Sequence, residues 1–592
     1  MTESGQEEVR ARFAAAETIA PDPGAPASSS EGPLKPPQDP GPDDELLRRC
    51  AALSANDYGN GQRLVLHFGQ DLMFVPRVGW FVWTGAVWEQ DKDKVRVHRT
   101  AQRLSGLIAQ EVPFLPVSEV DARLLGQERD ARARAAELRA IKERSEPQTV
   151  ELGELISTLD AIDQIKERRK KARSAHRSFA NTSGNSNRIV NAITEAAALL
   201  AVSVNDLDQM PLDLNTEGGV LRFAVTGGPG EEVSATAALE LVEHDREDRI
   251  TKLAPVLVDF EARCLEFDRF LERVQPDIEM REFLQRWIGA SFLGKPIQRL
   301  VFLHGGGANG KSVLVDLMAR IAGSYAATAR IESLTGNTRR GGGEPTPDLV
   351  PLMGARMVRT SEPDEGQRLQ EGLIKELTGG EPMLVRALYG ESVEVTPYFK
   401  LTISGNHKPE IRGGDDGIWR RVLLVPFDIQ IPEPERDSDL GEKLRAERSG
   451  IMNWVIDGIF AYLERGLDPP GRVLDETRAY REESDPIGTF LAASCEFTGD
   501  AKDQITSKDM AAAMNFWVRE RGETAWKDTT ISRRLAAKAG KWRDPRTGRT
   551  FEKGKSSRSL YHGLRFREAF KRRFDEDDVQ NSGRGYRSDV VE

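Results

Sequence analysis

Apolar and polar positions follow a distinctive order between residues 299 and 323. Arg299 to His304 is a short, mostly apolar run, which is typical of a strand buried on both faces. Ser312 to Ala322 repeats apolar residues at helical spacing and is followed by Gly323, a residue type that commonly ends helices. Between them lie four glycines, at positions 305, 306, 307 and 310. The pattern predicts a buried parallel strand, a flexible loop and a helix.

Three further stretches carry clear patterns. Residues 120 to 180 place Ala and Leu among charged residues at helical spacing, with an interruption predicted at Pro147. Met280 to Gly294 repeats Phe, Leu, Trp and Ile at helical intervals, so this helix is predicted to bury one face. Gly79 to Asp91 is aromatic and β-prone, and Thr84-Gly85 within it predicts a turn between two short strands. The chain is therefore predicted to be a multidomain α/β protein.

Composition narrows the class of protein. The 592 residues carry a net charge of −11, with 39% hydrophobic and 30% charged residues, as in globular proteins. The sequence has no apolar run of about 18 residues, so no membrane span is predicted. The amino terminus lacks a signal-peptide pattern, and we expect a cytoplasmic protein. Cys50, Cys264 and Cys495 have no neighbouring Cys or His in the sequence, which favours core residues over a disulfide framework or zinc site.

Positive charge is concentrated near the carboxyl terminus. From Ile531 to Arg573 there are fifteen basic and three acidic residues, and such a patch attracts phosphate; a solvated charged surface is the alternative. Thr529 to Gly540 is predicted to be a helix. Its Arg533, Arg534 and Lys538 share one face that could enter a DNA major groove.

The glycine-rich loop matches a phosphate-binding motif in the context that the motif requires. Gly305, Gly310, Lys311 and Ser312 fit the pattern G-x-x-x-x-G-K-[ST] between a predicted strand and a predicted helix. Glycines let backbone N–H groups approach phosphate oxygens, and the helix amino terminus adds partial positive charge. We expect ATP and Mg²⁺ as cofactors, with Lys311 on the β- and γ-phosphates and Ser312 on the metal. The residues expected to contact the nucleotide are Gly305, Gly306, Gly307, Ala308, Asn309, Gly310, Lys311, Ser312 and Val313.

Polar residues follow three later β-prone runs. Glu362 follows one of them, and we expect it to bind the magnesium-bound water, with Asp364 and Glu365 as alternatives. Asn406 ends another and could orient the attacking water. Arg420 and Arg421 precede a third, and either could act as an arginine finger on a neighbouring subunit's nucleotide. Taken singly, each residue fits a surface or turn position better, and only their order after the glycine loop supports the catalytic interpretation.

These motifs together resemble those of the superfamily 3 helicases, specifically the phage/plasmid primase–helicase family that includes the poxvirus primase-helicase. The resemblance covers roughly residues 200 to 570. It is carried by the segments GGGANGKS, RMVRTSE, LIKELTGGEPMLVRALYGESVEVTPYFKL, TISGNHKP and DDGIWRRVLLVPF.

The resemblance implies an AAA+ type ATPase core, a ring that is usually a hexamer, and ATP-driven translocation on single-stranded DNA. It places Lys375 and Arg386 where the family presents basic groups to DNA in the central channel, although a surface role is the alternative for both. It also implies a C-terminal winged-helix region. The expected divisions are a disordered tail over 1–45, a collar of α+β and helical structure over 46–195, a helical domain over 196–285, the ATPase core over 286–430, a helical lid or linker over 431–480, a winged-helix-like basic DNA-binding domain over 481–575 and a disordered tail over 576–592.

The amino-terminal region departs from family members that carry a primase domain. Asp206 and Asp208 form an acid-x-acid pair without a convincing partner, and no Cys/His cluster suggests a zinc module. We therefore expect no primase activity. The region is expected to be a collar for ring assembly or a docking site for a separate primase.

Three functions fit these observations. The first is an ATP-dependent helicase that acts on single-stranded and forked DNA in phage, prophage or plasmid replication, in the cytoplasm of a bacterial host. The second is an ATP-switched initiator that binds and melts an origin without processive unwinding. The third is a nucleotide hydrolase in a non-replicative role such as defence or packaging.

Overall fold

The structure is a computed structural model that describes residues 43–227, 234–336, 345–386, 392–411, 416–522, 524–555 and 559–581. In this part of the chain, one five-stranded parallel sheet and five small antiparallel sheets alternate with helices. The prediction of a mixed α/β fold with a parallel sheet is confirmed. None of the described helices combines the length and apolar character needed to cross a membrane.

The amino-terminal part contains a small sheet and a long helical hairpin. Its elements are α1 Asp44–Ala51, α2 Asp57–Phe68, β1 Leu72–Val75, β2 Gly79–Trp83, β3 Trp88–Gln90, α3 Val95–Gln102, α4 Leu104–Gln110, α5 Glu119–Ala140, α6 Glu146–Ser183 and α7 Ser186–Leu199. The predicted turn at Thr84-Gly85 joins β2 to β3. Pro147 lies in the first turn of α6, where its missing N–H costs nothing, so the predicted interruption is a helix start.

Each of the two expected disordered tails includes residues that are helical in the structure. The tail over 1–45 overlaps α1, which begins at Asp44 because the Asp43 carboxylate accepts a hydrogen bond from the Leu46 amide. The tail over 576–592 overlaps the last helix, which runs to Asn581. The remaining residues, 1–42 and 582–592, lie outside the described residues.

The segment expected to be a helical domain begins with a sheet, so this prediction was wrong over its first half. Its elements are β4 Asp213–Thr216, β5 Gly219–Thr226, β6 Thr236–Val242, α8 Leu265–Val274 and α9 Ile278–Phe292. In β5, Leu221 and Phe223 alternate inward, which is the two-residue period of a strand. The helix predicted over Met280 to Gly294 corresponds to α9.

The parallel sheet has apolar clusters on both of its faces. Its region comprises β7 Leu300–His304, α10 Lys311–Ala322, β8 Ala326–Ala329, α11 Ile331–Leu334, β9 Met357–Thr360, α12 Glu371–Leu377, β10 Met383–Arg386, β11 Ser392–Val395, β12 Lys400–Gly405, α13 Asp416–Trp419 and β13 Val422–Pro426. The strand order is β13-β7-β12-β9-β8, and all four pairings are parallel. Along β7, Val301 and Leu303 join the core on one face, while Leu300 and Phe302 join the core on the other. This explains the continuous apolar run of the sequence.

The carboxyl-terminal part is connected to the sheet by helices. Its elements are α14 Leu440–Ala446, α15 Arg448–Arg465, α16 Gly471–Glu483, α17 Pro486–Ser494, β14 Cys495–Phe497, β15 Gln504–Thr506, α18 Ser507–Glu520, α19 Asp528–Lys538, β16 Glu552–Lys555, β17 Ser559–His562, β18 Leu564–Phe566 and α20 Glu568–Asn581. Helix α15 packs closely on α9 through Gly458 and Gly289, where added Cβ atoms would meet the opposite backbone. The Thr477 hydroxyl of α16 accepts a hydrogen bond from the Leu424 amide of β13.

A buried ionic cluster holds the amino-terminal helices together. The Arg63 guanidinium donates to both carboxylate oxygens of Glu111, at 2.8 and 3.0 Å, and both side chains are fully buried. His176 Nε2 of α6 lies 3.0 Å from the same carboxylate. Cys50 is buried as expected, but the fold brings its Sγ within 3.5 Å of His67 Nε2, which the sequence separation did not suggest. The cluster fixes α2, α4 and α6 relative to one another.

The Glu111→Gln variant tests this cluster. It leaves the buried Arg63 cation with a neutral partner, so we expect the local unfolding free energy of α2 and α4 to fall by about 3 kcal/mol. Hydrogen-exchange protection of their amides measures this loss. The control is Arg132→Gln, which removes exposed ion pairs to Glu128 and Asp163 and should leave the unfolding free energy nearly unchanged. Equal effects of the two substitutions would contradict the structural role of the cluster.

Candidate functional site

The parallel pairing brings the segments that follow β7, β9 and β12 to one edge of the sheet. Strand β12 pairs with β7 so that Gly405 lies opposite His304, and with β9 so that Ile403 lies opposite Thr360. The chain segments that follow these strands therefore leave the sheet side by side at its carboxyl edge. This is the place where ligands bind in open α/β sheets.

The glycine-rich loop has a backbone that few other residue types tolerate. Gly307 and Gly310 have φ values of 90° and 81°, and Ala308 has a φ of 48°. A Cβ at Gly310 would also lie 2.6 Å from Val274 Cγ1 of α8, and one at Gly305 would lie 2.2 Å from the carbonyl oxygen of Phe427. Glycine is thus required both by conformation and by close packing.

Lys311 lies at the centre of this loop, in the first turn of α10. Its ammonium group donates to the Gly305 carbonyl at 2.7 Å, to Asn309 Oδ1 at 2.9 Å and to Asn406 Oδ1 at 3.2 Å. Burial lowers the pKa of the amine, and the Glu362 carboxylate opposes that shift. The loop therefore holds a buried cation beside the helix amino terminus, and such an arrangement can bind an anion.

Glu362 and Asn406 meet beside this lysine. The backbone amide of Asn406 donates a hydrogen bond to the Glu362 carboxylate, and the side-chain oxygen of Asn406 accepts one from the Lys311 ammonium. Glu362 remains exposed to solvent. Of the weaker alternatives, Asp364 accepts a hydrogen bond from Gln367 Nε2 at 2.8 Å. Three residues that are widely separated in sequence are therefore brought together through Asn406, and Glu362 is the acid that accepts its backbone hydrogen bond.

Of the remaining residues of the loop and the helix start, one is buried and anchors the loop, and the others are exposed to solvent. Asn309 is buried and its Nδ2 donates to the Phe427 carbonyl at 3.1 Å, so it anchors the loop. Gly306, Ala308, Ser312 and Val313 are exposed, and a Cβ at Gly306 would meet no atom within 4 Å. The exposed Ser312 hydroxyl and Glu362 carboxylate are oxygen groups of the kind that Mg²⁺ prefers.

Arg420 and Arg421 do not join this cluster. They precede β13, whose Val422 pairs with Leu300 at the start of β7. Five residues of strand, roughly 16 Å, separate that end from the glycine loop. Arg421 is buried and donates to Thr378 Oγ1 at 3.1 Å and to the Gly417 carbonyl at 2.6 Å, whereas Arg420 is exposed. The structure thus distinguishes Arg421 from Arg420, which the sequence alone did not. The exposed Arg420 side chain is accessible to another molecule.

The expected DNA-contacting residues lie on two other parts of the structure. Lys375 is half-buried on α12, and Arg386 is exposed at the end of β10, in the β10–β11 hairpin. The tip of this hairpin, 387–391, lies outside the described residues.

The proposed basic face of α19 is only partly available. Arg533 is exposed, but the Arg534 guanidinium lies over the Trp526 ring at 4.8 Å. Lys538 Nζ donates to the Asp485 carboxylate at 2.5 Å, and its side chain is only 17% exposed. Of the three residues expected to share a face that could enter a DNA major groove, Lys538 is neutralised by Asp485, the residue before α17.

The sequence interpretation missed a group of residues beside the site. Lys408 Nζ, two residues after Asn406, donates to Glu483 of α16 at 2.8 Å and lies 5.6 Å from the Tyr480 ring centroid. The Tyr480 ring meets Trp419 edge-on, with centroids 5.2 Å apart, and its hydroxyl donates to the Pro409 carbonyl. Helix α16 thus contacts both the segment after Asn406 and the residue before Arg420. The only sequence signal was the position of Lys408 within the quoted NHKP segment.

Two alanine substitutions test the packing of the loop. Gly305→Ala places a Cβ against the Phe427 backbone, so we expect the unfolding free energy to fall by about 1 to 3 kcal/mol. Gly306→Ala, one residue away, meets open space and should leave stability unchanged within about 0.5 kcal/mol. Chemical denaturation of the nucleotide-free protein compares the two variants. Destabilisation by Gly306→Ala alone would show that the loop has a different conformation.

The fold and the site together define a mixed α/β protein in which a glycine-rich loop, a carboxylate and an amide meet at the edge of a parallel sheet. Residues 61–276 match a family model described as D5 N terminal like, and residues 303–421 match a family of unknown function, DUF5906. These matches, together with the relatives below, support a relation to the D5-like primase-helicases.

Several curated viral proteins are similar to part of this chain. A putative helicase of Acanthamoeba polyphaga mimivirus is 27% identical over 360 residues, which cover 57% of this chain and 36% of that protein. A putative helicase of Frog virus 3 is 28% identical over 44% of this chain and 28% of that protein. A putative primase of African swine fever virus is 21% identical over 42% of this chain and 28% of that protein. The chain spans about a third of the length of the curated relatives it matches.

One solved structure, the apo form of the NrS-1 C-terminal region, is 14% identical over 47% of this chain and 64% of that chain, with a TM-score of 0.34. This likeness is too small to support an argument. The relatives named as primases also mean that the comparisons do not support the expectation that primase activity is absent.

Proposed function

We propose that this protein is an ATP-dependent DNA helicase that assembles into a ring and translocates on single-stranded DNA. The observation that carries the proposal is the convergence of Lys311, Glu362 and Asn406 at the carboxyl edge of the parallel sheet. The relation to D5-like primase-helicases and the viral relatives named as putative helicases support it. The parallel sheet agrees with the AAA+ type core that the superfamily 3 resemblance implies.

The site residues take complementary roles in this proposal. Backbone amides of the glycine loop and the ammonium of Lys311 bind the phosphates of ATP. Ser312 and Glu362 hold Mg²⁺, which supplies charge stabilisation on the transferred phosphoryl group when bound. Asn406 orients the attacking water, and Glu362 accepts its proton. The present acceptors of the Lys311 ammonium are neutral oxygens, which phosphate oxygens can replace.

Arg420 completes the site of a neighbouring subunit. Its exposed position at the amino edge of the sheet keeps it away from its own glycine loop, so it serves only in an assembled ring. An arginine supplied in this way stabilises the charge of the transition state. Arg421 has a structural role instead, since it joins α12 to α13 through Thr378 and Gly417.

DNA is bound by the β10–β11 hairpin and the carboxyl-terminal basic region. Arg386 lies on the hairpin, and Lys375 on the preceding α12. In the carboxyl-terminal region, helix α17, strand β15, helices α18 and α19 and the β16–β17 hairpin follow one another, with the sheet order β15-β17-β16. This succession supports a winged-helix-like domain, in which Arg533 is the exposed basic residue of α19. The proposed setting is phage, prophage or plasmid DNA replication.

The alternative is an ATP-switched initiator that melts an origin without processive unwinding. The basic carboxyl-terminal region favours it, since a winged-helix-like domain can bind duplex DNA. An initiator would protect one duplex sequence and hydrolyse ATP without separating forks of unrelated sequence.

Unwinding of a forked duplex with ATP and Mg²⁺ tests the proposal. Lys311→Ala removes the ammonium that binds phosphate, and we expect unwinding and ATP hydrolysis to fall at least about 100-fold. The control Arg320→Ala removes an exposed cation from the same helix and should unwind normally. Wild-type ATP hydrolysis stimulated by DNA without strand separation would favour the initiator. Wild-type protein without ATP hydrolysis would refute both functions.

A mixing experiment tests the arginine finger. Arg420→Ala alone and Lys311→Ala alone should each lose ATP hydrolysis, at least about 100-fold, because every site lacks one of the two residues. When the two variants are mixed, some interfaces pair an intact Lys311 with an intact Arg420. We therefore expect the mixture to regain activity, measured as phosphate release. A mixture as inactive as its components would exclude a role for Arg420 in a neighbouring site.

A further inference from the structure

A strongly basic segment lies on the helical hairpin, far in sequence from the residues assigned above. Residues 168–194 contain seven basic residues and no Asp or Glu, in a chain whose net charge is −11. The basic positions are Arg168, Arg169, Lys170, Lys171, Arg173, Arg177 and Arg188. All but the last lie on α6, which packs along α5 and α4.

The first part of this charge run is neutralised within the hairpin. Lys166 donates to Glu128 of α5, and Arg168 donates to Asp121 of α5 at 3.2 Å. These pairs show the ordinary use of charge on such a hairpin, in which basic residues of one helix meet acidic residues of the other. The same pairing does not continue beyond residue 168.

The second part forms a basic flank, defined here as Arg169, Lys170, Arg173 and Arg177. At about 100° per residue these four side chains lie within an arc of about 100° and extend about 12 Å along α6. Within the described part of the chain, no hydrogen bond, ion pair or ring contact is found for Arg169, Arg173 or Arg177. Lys170 approaches Glu167 only at 3.9 Å, with both side chains largely exposed, so that pair contributes little.

The backbone beneath the basic flank is held in place. Ile165, His176 and Ala180 of α6 are buried, and His176 contacts the Arg63–Glu111 pair described above. The flank is therefore a set of long cationic side chains on a rigid helix. Such a surface can bind a charged polymer without the entropy cost of ordering its backbone.

The neighbouring side chains favour a phosphate backbone as the ligand. Arg169 is half-buried, whereas Lys170, Arg173 and Arg177 are exposed. The rest of the exposed surface over 170–182 consists of Lys171 and small or hydrogen-bonding residues such as Ser174, Ser178 and Asn181. The exposed large apolar residues of α6, Val150 and Ile156, precede the flank by more than three turns. A protein interface of useful affinity needs apolar or aromatic anchors, whereas nucleic-acid backbones are bound by Arg and Lys with neutral donors.

We propose that the basic flank of α6 binds the phosphate backbone of DNA outside the ATPase core, without reading its sequence. The inference rests on the proposed DNA helicase function and adds a second DNA contact to it, on the amino-terminal region. This contact holds the DNA on the collar while the ATPase core acts on it.

The test compares two triple variants of the full-length protein. Arg169→Gln, Arg173→Gln and Arg177→Gln together remove three charges from the flank. The control, Arg123→Gln, Arg129→Gln and Arg139→Gln, removes three exposed charges from α5 of the same hairpin, among acidic neighbours. Binding of a fluorescent forked duplex of arbitrary sequence is measured by anisotropy over a series of salt concentrations, and ATP hydrolysis without DNA verifies folding.

We expect the flank variant to bind the fork at least about tenfold more weakly near 0.1 M salt. The slope of log affinity against log salt should become shallower by about 2 to 3, since each lost phosphate contact contributes 0.7 to 0.9. The control should change neither quantity, and both variants should retain DNA-independent ATP hydrolysis.

Other results would overturn the inference. Equal weakening by the two triple variants would indicate a general effect of net charge, and unchanged binding by the flank variant would exclude the contact. Loss of binding to poly-glutamate but not to DNA would assign the flank to an acidic protein instead. If the wild-type protein neither hydrolyses ATP nor binds DNA, the proposed function itself fails, and that result is distinct from these.

Discussion

The parallel pairing of β7 with β12 and β13 is the constraint on which the candidate site depends. Pairing with β12 sets Asn406 beside the glycine loop, and pairing of β12 with β9 brings Glu362 to the same edge. Pairing with β13 has the opposite consequence for Arg420, which is placed at the far edge of the sheet. One sheet register thus gathers the residues proposed to act on their own nucleotide and separates the one proposed to act on a neighbour's.

Helix α16 links this sheet edge to the carboxyl-terminal region. It contacts the segment after Asn406 through the Lys408–Glu483 ion pair. Asp485, two residues after Glu483, accepts a hydrogen bond from Lys538 of α19. The same basic residue that was expected to face DNA therefore joins the carboxyl-terminal helices to the linker. Short, direct contacts of this kind make the carboxyl-terminal region a structural neighbour of the site despite its distance in sequence.

Buried and exposed ion pairs have different roles in the amino-terminal helices. The Arg63–Glu111 pair is fully buried and satisfied, so it fixes the packing of α2, α4 and α6. The α5–α6 pairs are exposed and of little energetic value individually, but they neutralise Lys166 and Arg168 of α6 with Glu128 and Asp121 of α5. What is left is a rigid helix whose later turns carry positive charge alone.

The sequence by itself determined the local features of this protein. The β7–loop–α10 unit, the helix α9, the turn between β2 and β3 and the set Lys311, Glu362 and Asn406 follow from apolar periodicity and motif spacing, because these signals are local. Only the tertiary structure decided which residues meet. Glu362, and not Asp364, accepts the hydrogen bond from the Asn406 backbone amide. Arg421 is buried against Thr378, whereas Arg420 is exposed. Lys538 is paired with Asp485. These outcomes depend on contacts between residues far apart in sequence, and no local pattern encodes such contacts.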